Sequence, residues 1–221
     1  MTLKLFWIGL IALCSTTLCA VTYVSPTGSG SGQSWTYSSS LQDALSNAKH
    51  GDVLWLKAGF YTPVKCVLCT ETDRGFSFII PDGVKIYGGF NGTETRFADR
   101  DINENETILS GDINNDGLLQ MNSFTVVKTL EVTDATIIDG LIITGGVADG
   151  DAQVFEYPEL SGGGWYNGSL GTQFSNPKII NCKFINNRAK YFGGAVYNMA
   201  SFQGQNHPTF ENGSFIDEKI V

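Results

Sequence analysis

The segment Asp112-Ile113-Asn114-Asn115-Asp116-Gly117 sets oxygen-bearing side chains at alternate positions and closes on glycine, the opening pattern of a Ca²⁺-binding loop. Carboxylate and amide oxygens suit a hard cation, which makes Asp112, Asn114 and Asp116 the candidate metal ligands. The twelfth position is Ser123 rather than a bidentate Glu, so an acidic turn without an ion is the alternative. Arg188 and Lys190 are the candidate bases for eliminative cleavage of an acidic polysaccharide, a reaction carried by a basic side chain with Ca²⁺. A solvated basic turn explains the same pair. Phe155 and Tyr157, in an insertion from Asp149 to Leu160, are candidate sugar-stacking rings, though packing the insertion onto the body would use them equally. Cys66-Val67-Leu68-Cys69 has redox-motif spacing without a βαβ context, and reads as a loop disulfide or two thiols. Cys182 reads as a small buried hydrophobe.

These residues hang on a repeat. Gly162-Gly163-Gly164-Trp165-Tyr166-Asn167 returns 31 residues later as Gly193-Gly194-Ala195-Val196-Tyr197-Asn198. Asn176-Pro177-Lys178-Ile179-Ile180-Asn181 returns at the same offset as His207-Pro208-Thr209-Phe210-Glu211-Asn212. A constant offset means that each copy is one structural turn whose neighbours bury its apolar face. A shorter copy upstream, Ile137 to Ile143, aligns at an offset of 42 and gives the columns Ile137/Ile179/Phe210, Asp139/Asn181/Asn212 and Ile142/Phe184/Phe215. Those columns are expected to stack about 4.8 Å apart in a parallel coil, with Ile142, Phe184, Phe215 and Asp139 all facing the interior. Helical repeats are disfavoured, because Gly pairs and Pro breaks interrupt the β-branched and aromatic runs too often.

The fold expected is all-β: a right-handed parallel β-helix with an N-terminal capping helix. Ser40-Leu41-Gln42-Asp43 opens that helix with a capping-box pattern, and Leu41, Ala44, Leu45 and Ala48 share one face that would cover the exposed end of the first coil. The organisation expected is a signal peptide over residues 1–20, with Lys4, an apolar run from Leu5 to Leu13 and Ala20 before the cut. One domain over 21–221 follows, with early coils to 161 and 31-residue repeats from 162. Nothing in Gly213 to Val221 reads as a terminal cap, so the expectation is a stack that continues or that pairs with another molecule through its last coil. A net charge of −8 without a basic run disfavours nucleic acid as a partner.

The order Leu41-Gln42-Asp43-Ala44-Leu45, Gly51-Asp52-Val53-Leu54-Trp55-Leu56, Ile86-Tyr87-Gly88-Gly89-Phe90-Asn91-Gly92 and Asp139-Gly140-Leu141-Ile142-Ile143 resembles the N-terminal half of exported right-handed parallel β-helix proteins with a pectin-lyase-like fold. Phe184-Ile185-Asn186-Asn187 followed by Gly193-Gly194-Ala195-Val196 is similar to the repeats of chlamydial polymorphic outer membrane proteins, a family implicated in adhesion. The resemblance implies a secreted or cell-surface protein, associated with the outer membrane, that binds a polysaccharide or a host cell-surface glycan without catalysis. It requires no cofactor, Ca²⁺ being the one ion for which the chain offers a loop. A polysaccharide lyase or glycoside hydrolase, acting near Arg188 and Lys190 or in further coils, is the alternative.

Overall fold

The computed structural model describes residues 20–64, 73–151, 157–201 and 203–220. Their strands run in order β1 (Val21–Val24), β2 (Val53–Lys57), β3 (Gly59–Tyr61), β4 (Phe78–Ile79), β5 (Lys85–Phe90) and β6 (Thr107–Ser110). The chain continues through β7 (Val127–Leu130), β8 (Ile137–Asp139), β9 (Ile142–Thr144), β10 (Val147–Ala148), β11 (Trp165–Ser169) and β12 (Lys178–Ile180). It closes with β13 (Lys183–Ile185), β14 (Arg188–Ala189), β15 (Val196–Ala200), β16 (Thr209–Glu211), β17 (Ser214–Ile216) and β18 (Lys219–Ile220). All pair in parallel, in four sheets: β1-β2-β5-β8-β12-β16 (sheet I), β3-β6-β9-β13-β17 (sheet II), β10-β14-β18 (sheet III) and β4-β7-β11-β15 (sheet IV). From β8 onward the chain visits sheets I, II, III and IV in turn and then starts again. The molecule is therefore β-rich and built of stacked parallel circuits.

Short strands need sharp corners, and the residue types at the corners supply them. Gly140, Asn181 and Asn212 follow the strands of sheet I with φ of +76°, +51° and +52°. Gly145, Asn186 and Asp217 do the same after sheet II, at +73°, +60° and +54°. Gly adopts this left-handed conformation freely, while Asn and Asp tolerate it best among other residues. The asparagines recurring at a fixed offset are thus a backbone requirement first.

Between corners, alternate residues point inward and stack. Leu54, Ile86, Ile138, Ile179 and Phe210 form the inner column of sheet I. Tyr61, Leu109, Ile143, Phe184 and Phe215 form that of sheet II, and Phe78, Val127, Trp165 and Val196 that of sheet IV. Each fully buried aliphatic or aromatic side chain stabilises the fold by about 1.5–3 kcal/mol.

The expected columns are corrected by one residue at the upstream copy. Lys178 pairs with Ile137 and Phe184 with Ile143, an offset of 41 rather than 42. Ile142 therefore points outward, half-buried, and fully buried Ile143 takes the inner place above Phe184. A slip of one residue exchanges the two faces of a strand. Asp139 likewise lies outward, beside Ile180 in register, with Gly140 at the corner; the expected polar column keeps its side-chain contacts, since the Asn181 amide donates to Asp139 at 2.8 Å and the Asn212 amide to Asn181 at 3.2 Å.

Helix α1 (Leu41–Asn47) lies between β1 and β2 in sequence. Ser40 accepts the Asp43 amide at 3.1 Å, and its hydroxyl donates to the Asp43 carboxylate at 2.8 Å. The helix packs against β1 and β4, the edge strands of sheets I and IV. Leu41, Ala44 and Leu45 are buried and join the main apolar core. Residues 1–19, which hold most of the expected signal segment, lie outside the described residues.

Candidate functional site

The acidic turn after β6 closes on itself. The two Asp112 carboxylate oxygens accept the amides of Asp116 (3.2 Å) and Gly117 (2.9 Å). Asp116 accepts the Leu118 amide and the Asn114 side-chain amide, at 2.7 and 2.9 Å. All the oxygens expected as Ca²⁺ ligands thus share one exposed turn, with the carboxylates already holding its backbone. Among the described residues, no group of three or more His, Cys, Asp or Glu side chains comes together as a metal site.

Arg188 and Lys190 lie at β14, but the acid expected near them does not. Lys190 donates to the Gly150 carbonyl at 3.2 Å and stands 4.0 Å from the Asp151 carboxylate, so it ties down the start of the insertion. Arg188 is half-buried, and its Nε is enclosed without a hydrogen-bond partner among the described residues. Asp139 belongs to sheet I, where Arg100 binds it at 2.6 Å with both side chains largely enclosed. Arg100 also lies 4.5 Å over the Phe97 ring and 5.4 Å over that of Tyr87. This pair is a clasp that fixes the 91–106 loop to the outer face of sheet I.

Tyr157 is exposed, and its carbonyl accepts the Leu160 amide at 2.9 Å. Phe155, Cys66 and Cys69 lie outside the described residues. Cys182 is fully buried, and that burial pushes its thiol up to about 12, an unreactive state. Of the four Asn-x-Ser/Thr sites in the sequence, at Asn91, Asn105, Asn167 and Asn212, Asn167 is buried, whereas Asn91 and Asn212 are exposed.

Two features escaped the sequence reading. The first is an aromatic layer on the outer face of sheet I. Trp55 stacks on Phe90 at 4.6 Å and 12°, with Tyr23 at 5.8 Å and Phe97 at 6.2 Å, while Trp35 meets Tyr23 edge-on at 4.8 Å. Its rim opens as a cleft of about 360 Å³ bounded by Trp35, Tyr37, Lys57 and Gly92. The second is Lys128, on the outer face of sheet IV between Ile79 and Tyr166. Burial lowers its ammonium to about 8, against the opposing charge of Glu159. Alternation within β2 and β7 marks Trp55 and Lys128 as outward residues, but gives no sign of what covers them.

No protein-family model, curated protein or solved structure matches this chain.

Proposed function

We propose that the chain is an exported, cell-surface carbohydrate-binding module, non-catalytic and built as a right-handed parallel β-helix whose N-terminal end is covered by α1. The circuit order and the parallel register support the β-helix. Parallel crossover connections are right-handed in about 98% of cases, which favours that hand. The resemblance to exported β-helix and polymorphic outer membrane proteins supports a secreted or outer-membrane location.

One observation carries the binding reading. Three of the polar side chains that sequence alone offers to chemistry are committed to structure: Lys190 to the insertion, Asp139 to Arg100, and Asp112 to its own turn. What remains accessible is a rigid stack bearing exposed rings such as Tyr37 and Tyr157. Flat rings on a fixed scaffold suit sugars, whose C–H faces pack on them at little cost in conformational entropy.

A polysaccharide lyase acting near Arg188 and Lys190 is the second reading, favoured by the Arg188 Nε, which has no hydrogen-bond partner among the described residues. An array of immobilised neutral and acidic polysaccharides tests the first reading. The full chain is expected to be retained on at least one of them, and retention on none would remove it.

A further inference from the structure

The cleft at the rim of the aromatic layer has the parts of a sugar subsite, and its walls are held from behind. Trp35 begins a short helical turn, Trp35–Tyr37, opened by Ser34, whose hydroxyl accepts the Tyr37 amide at 3.3 Å. The Trp35 indole N–H is fixed on the Glu94 carbonyl at 2.9 Å, and its ring is wedged against Tyr23 and Phe90. Its orientation is therefore set before any ligand arrives. Tyr37 stands beside it, 66% exposed.

The same lining carries one cation. Lys57, at the end of β2, is exposed and makes no ion pair with a described residue. Glu94, in the loop that carries Gly92, is already occupied: its carboxylate accepts the amides of Asn91, Gly92 and Thr93 at 2.7, 3.0 and 3.1 Å. Those bonds hold Gly92 at φ +95°, where an added Cβ would lie 2.9 Å from the Lys57 side chain. Glycine there leaves the lysine stem its room. Thr27 and Ser29 add exposed hydroxyls to the lining, and Lys57 is its one charged side chain.

We infer that this cleft is the subsite for an acidic sugar unit, a hexuronate, with Trp35 and Tyr37 against the pyranose ring, Lys57 on its carboxylate and the hydroxyls of Thr27 and Ser29 on its own. The inference rests on the carbohydrate-binding reading and names its site and ligand class. A cleft of about 360 Å³ stands at the small end of ligand sites and suits one or two sugar units. A polar lining with one cation and flat aromatic walls selects a charged sugar over an apolar ligand.

Calorimetric titration of the full chain with trigalacturonate, and with its methyl ester as the uncharged analogue, tests this. The acid is expected to bind saturably and about tenfold more tightly than the ester, the effect of one charge-assisted contact. Tyr37→Ala and Lys57→Ala, both at exposed positions, should each weaken binding by about tenfold with melting unchanged. Gly92→Ala should weaken it through Lys57. Equal affinity for acid and ester would overturn the ligand class. Acid binding untouched by both Tyr37→Ala and Lys57→Ala would overturn the site while leaving the carbohydrate-binding reading standing. No trimer binding by a chain that still holds an immobilised polysaccharide would also overturn the site alone, and no binding in either experiment would remove both.

Discussion

The side-chain amide of Asn167 donates to the amide oxygen of Asn198, 31 residues further on, across 2.6 Å. These two residues are neighbours in register on β11 and β15, so the contact joins one circuit directly to the next. Asn167 is 1% exposed and also accepts from Thr129 and Ser175, at 2.7 and 2.6 Å, while Trp165 donates to Thr129 at 2.8 Å. The ladder is therefore a satisfied polar network, buried except at Asn198.

Removing its centre should be expensive. Asn167→Ala leaves the hydroxyl protons of Thr129 and Ser175 without their acceptor in an enclosed site, and is expected to destabilise the chain by about 3 kcal/mol. Asn198→Ala, at the exposed side of the same bond, should cost about 1 kcal/mol or less. Urea unfolding of both variants measures the difference.

The Arg100–Asp139 clasp should show strong coupling. Either single substitution, Arg100→Met or Asp139→Ala, leaves an enclosed charge without its partner and is expected to cost about 3–5 kcal/mol. The double variant should cost clearly less than the sum, because neither charge is then stranded. A double-mutant cycle by urea unfolding reads the coupling, and additive losses would mean that the pair does not hold the loop.

Glu218 gives the chain a pH dependence of known sign. Its carboxylate accepts both the backbone and the side-chain amide of Asn187, at 3.1 Å each. Burial outweighs those bonds and raises its pKa from 4.5 to about 7. Between those values the folded chain keeps a proton that the unfolded chain has lost, so this group lowers stability as pH rises from about 4.5 to about 7. Denaturant midpoints at pH 5 and pH 8 should differ in that direction, and Glu218→Gln should flatten the difference.

The end of the stack depends on α1. Leu41 and Leu45 are each 3% exposed in the shared core. Leu45→Ala is expected to cost about 2–4 kcal/mol, and Leu41→Asp with Leu45→Asp to unfold or aggregate the chain by uncovering β1 and β4. Unchanged melting of the double variant would remove the helix from the account of stability.

How far the sequence is legible follows from where each constraint lies along it. The 31-residue offset is readable because one corner conformation demands Asn or Gly at every circuit, as at Asn181 and Asn212. The upstream copy misleads because two isoleucines sit side by side at both Ile137-Ile138 and Ile142-Ile143. Either of each pair can be drawn inward, and the resemblance of Asp139 to Asn181 then pulls the alignment one residue off. The need for positive φ at Gly140 resolves it. The outer aromatic layer stays hidden for another reason: Tyr23, Trp35, Trp55, Phe90 and Phe97 come from separate segments, and no periodicity links them. The role of Asp139 is hidden likewise, since Arg100 reaches it from a loop. Candidate chemistry at Arg188 and Lys190 is visible as residue type only, and what Lys190 touches is decided by the insertion after β10.

The central claim is that this surface holds polysaccharide without cleaving it. The most direct measurement incubates the full chain with polygalacturonate, with and without Ca²⁺, following unsaturated sugar ends by ultraviolet absorbance while a pull-down measures bound polymer. The account predicts bound polymer and a flat absorbance trace in both conditions. A rising trace that Arg188→Ala, Lys190→Ala or Lys128→Met abolishes would contradict it and make the chain a lyase.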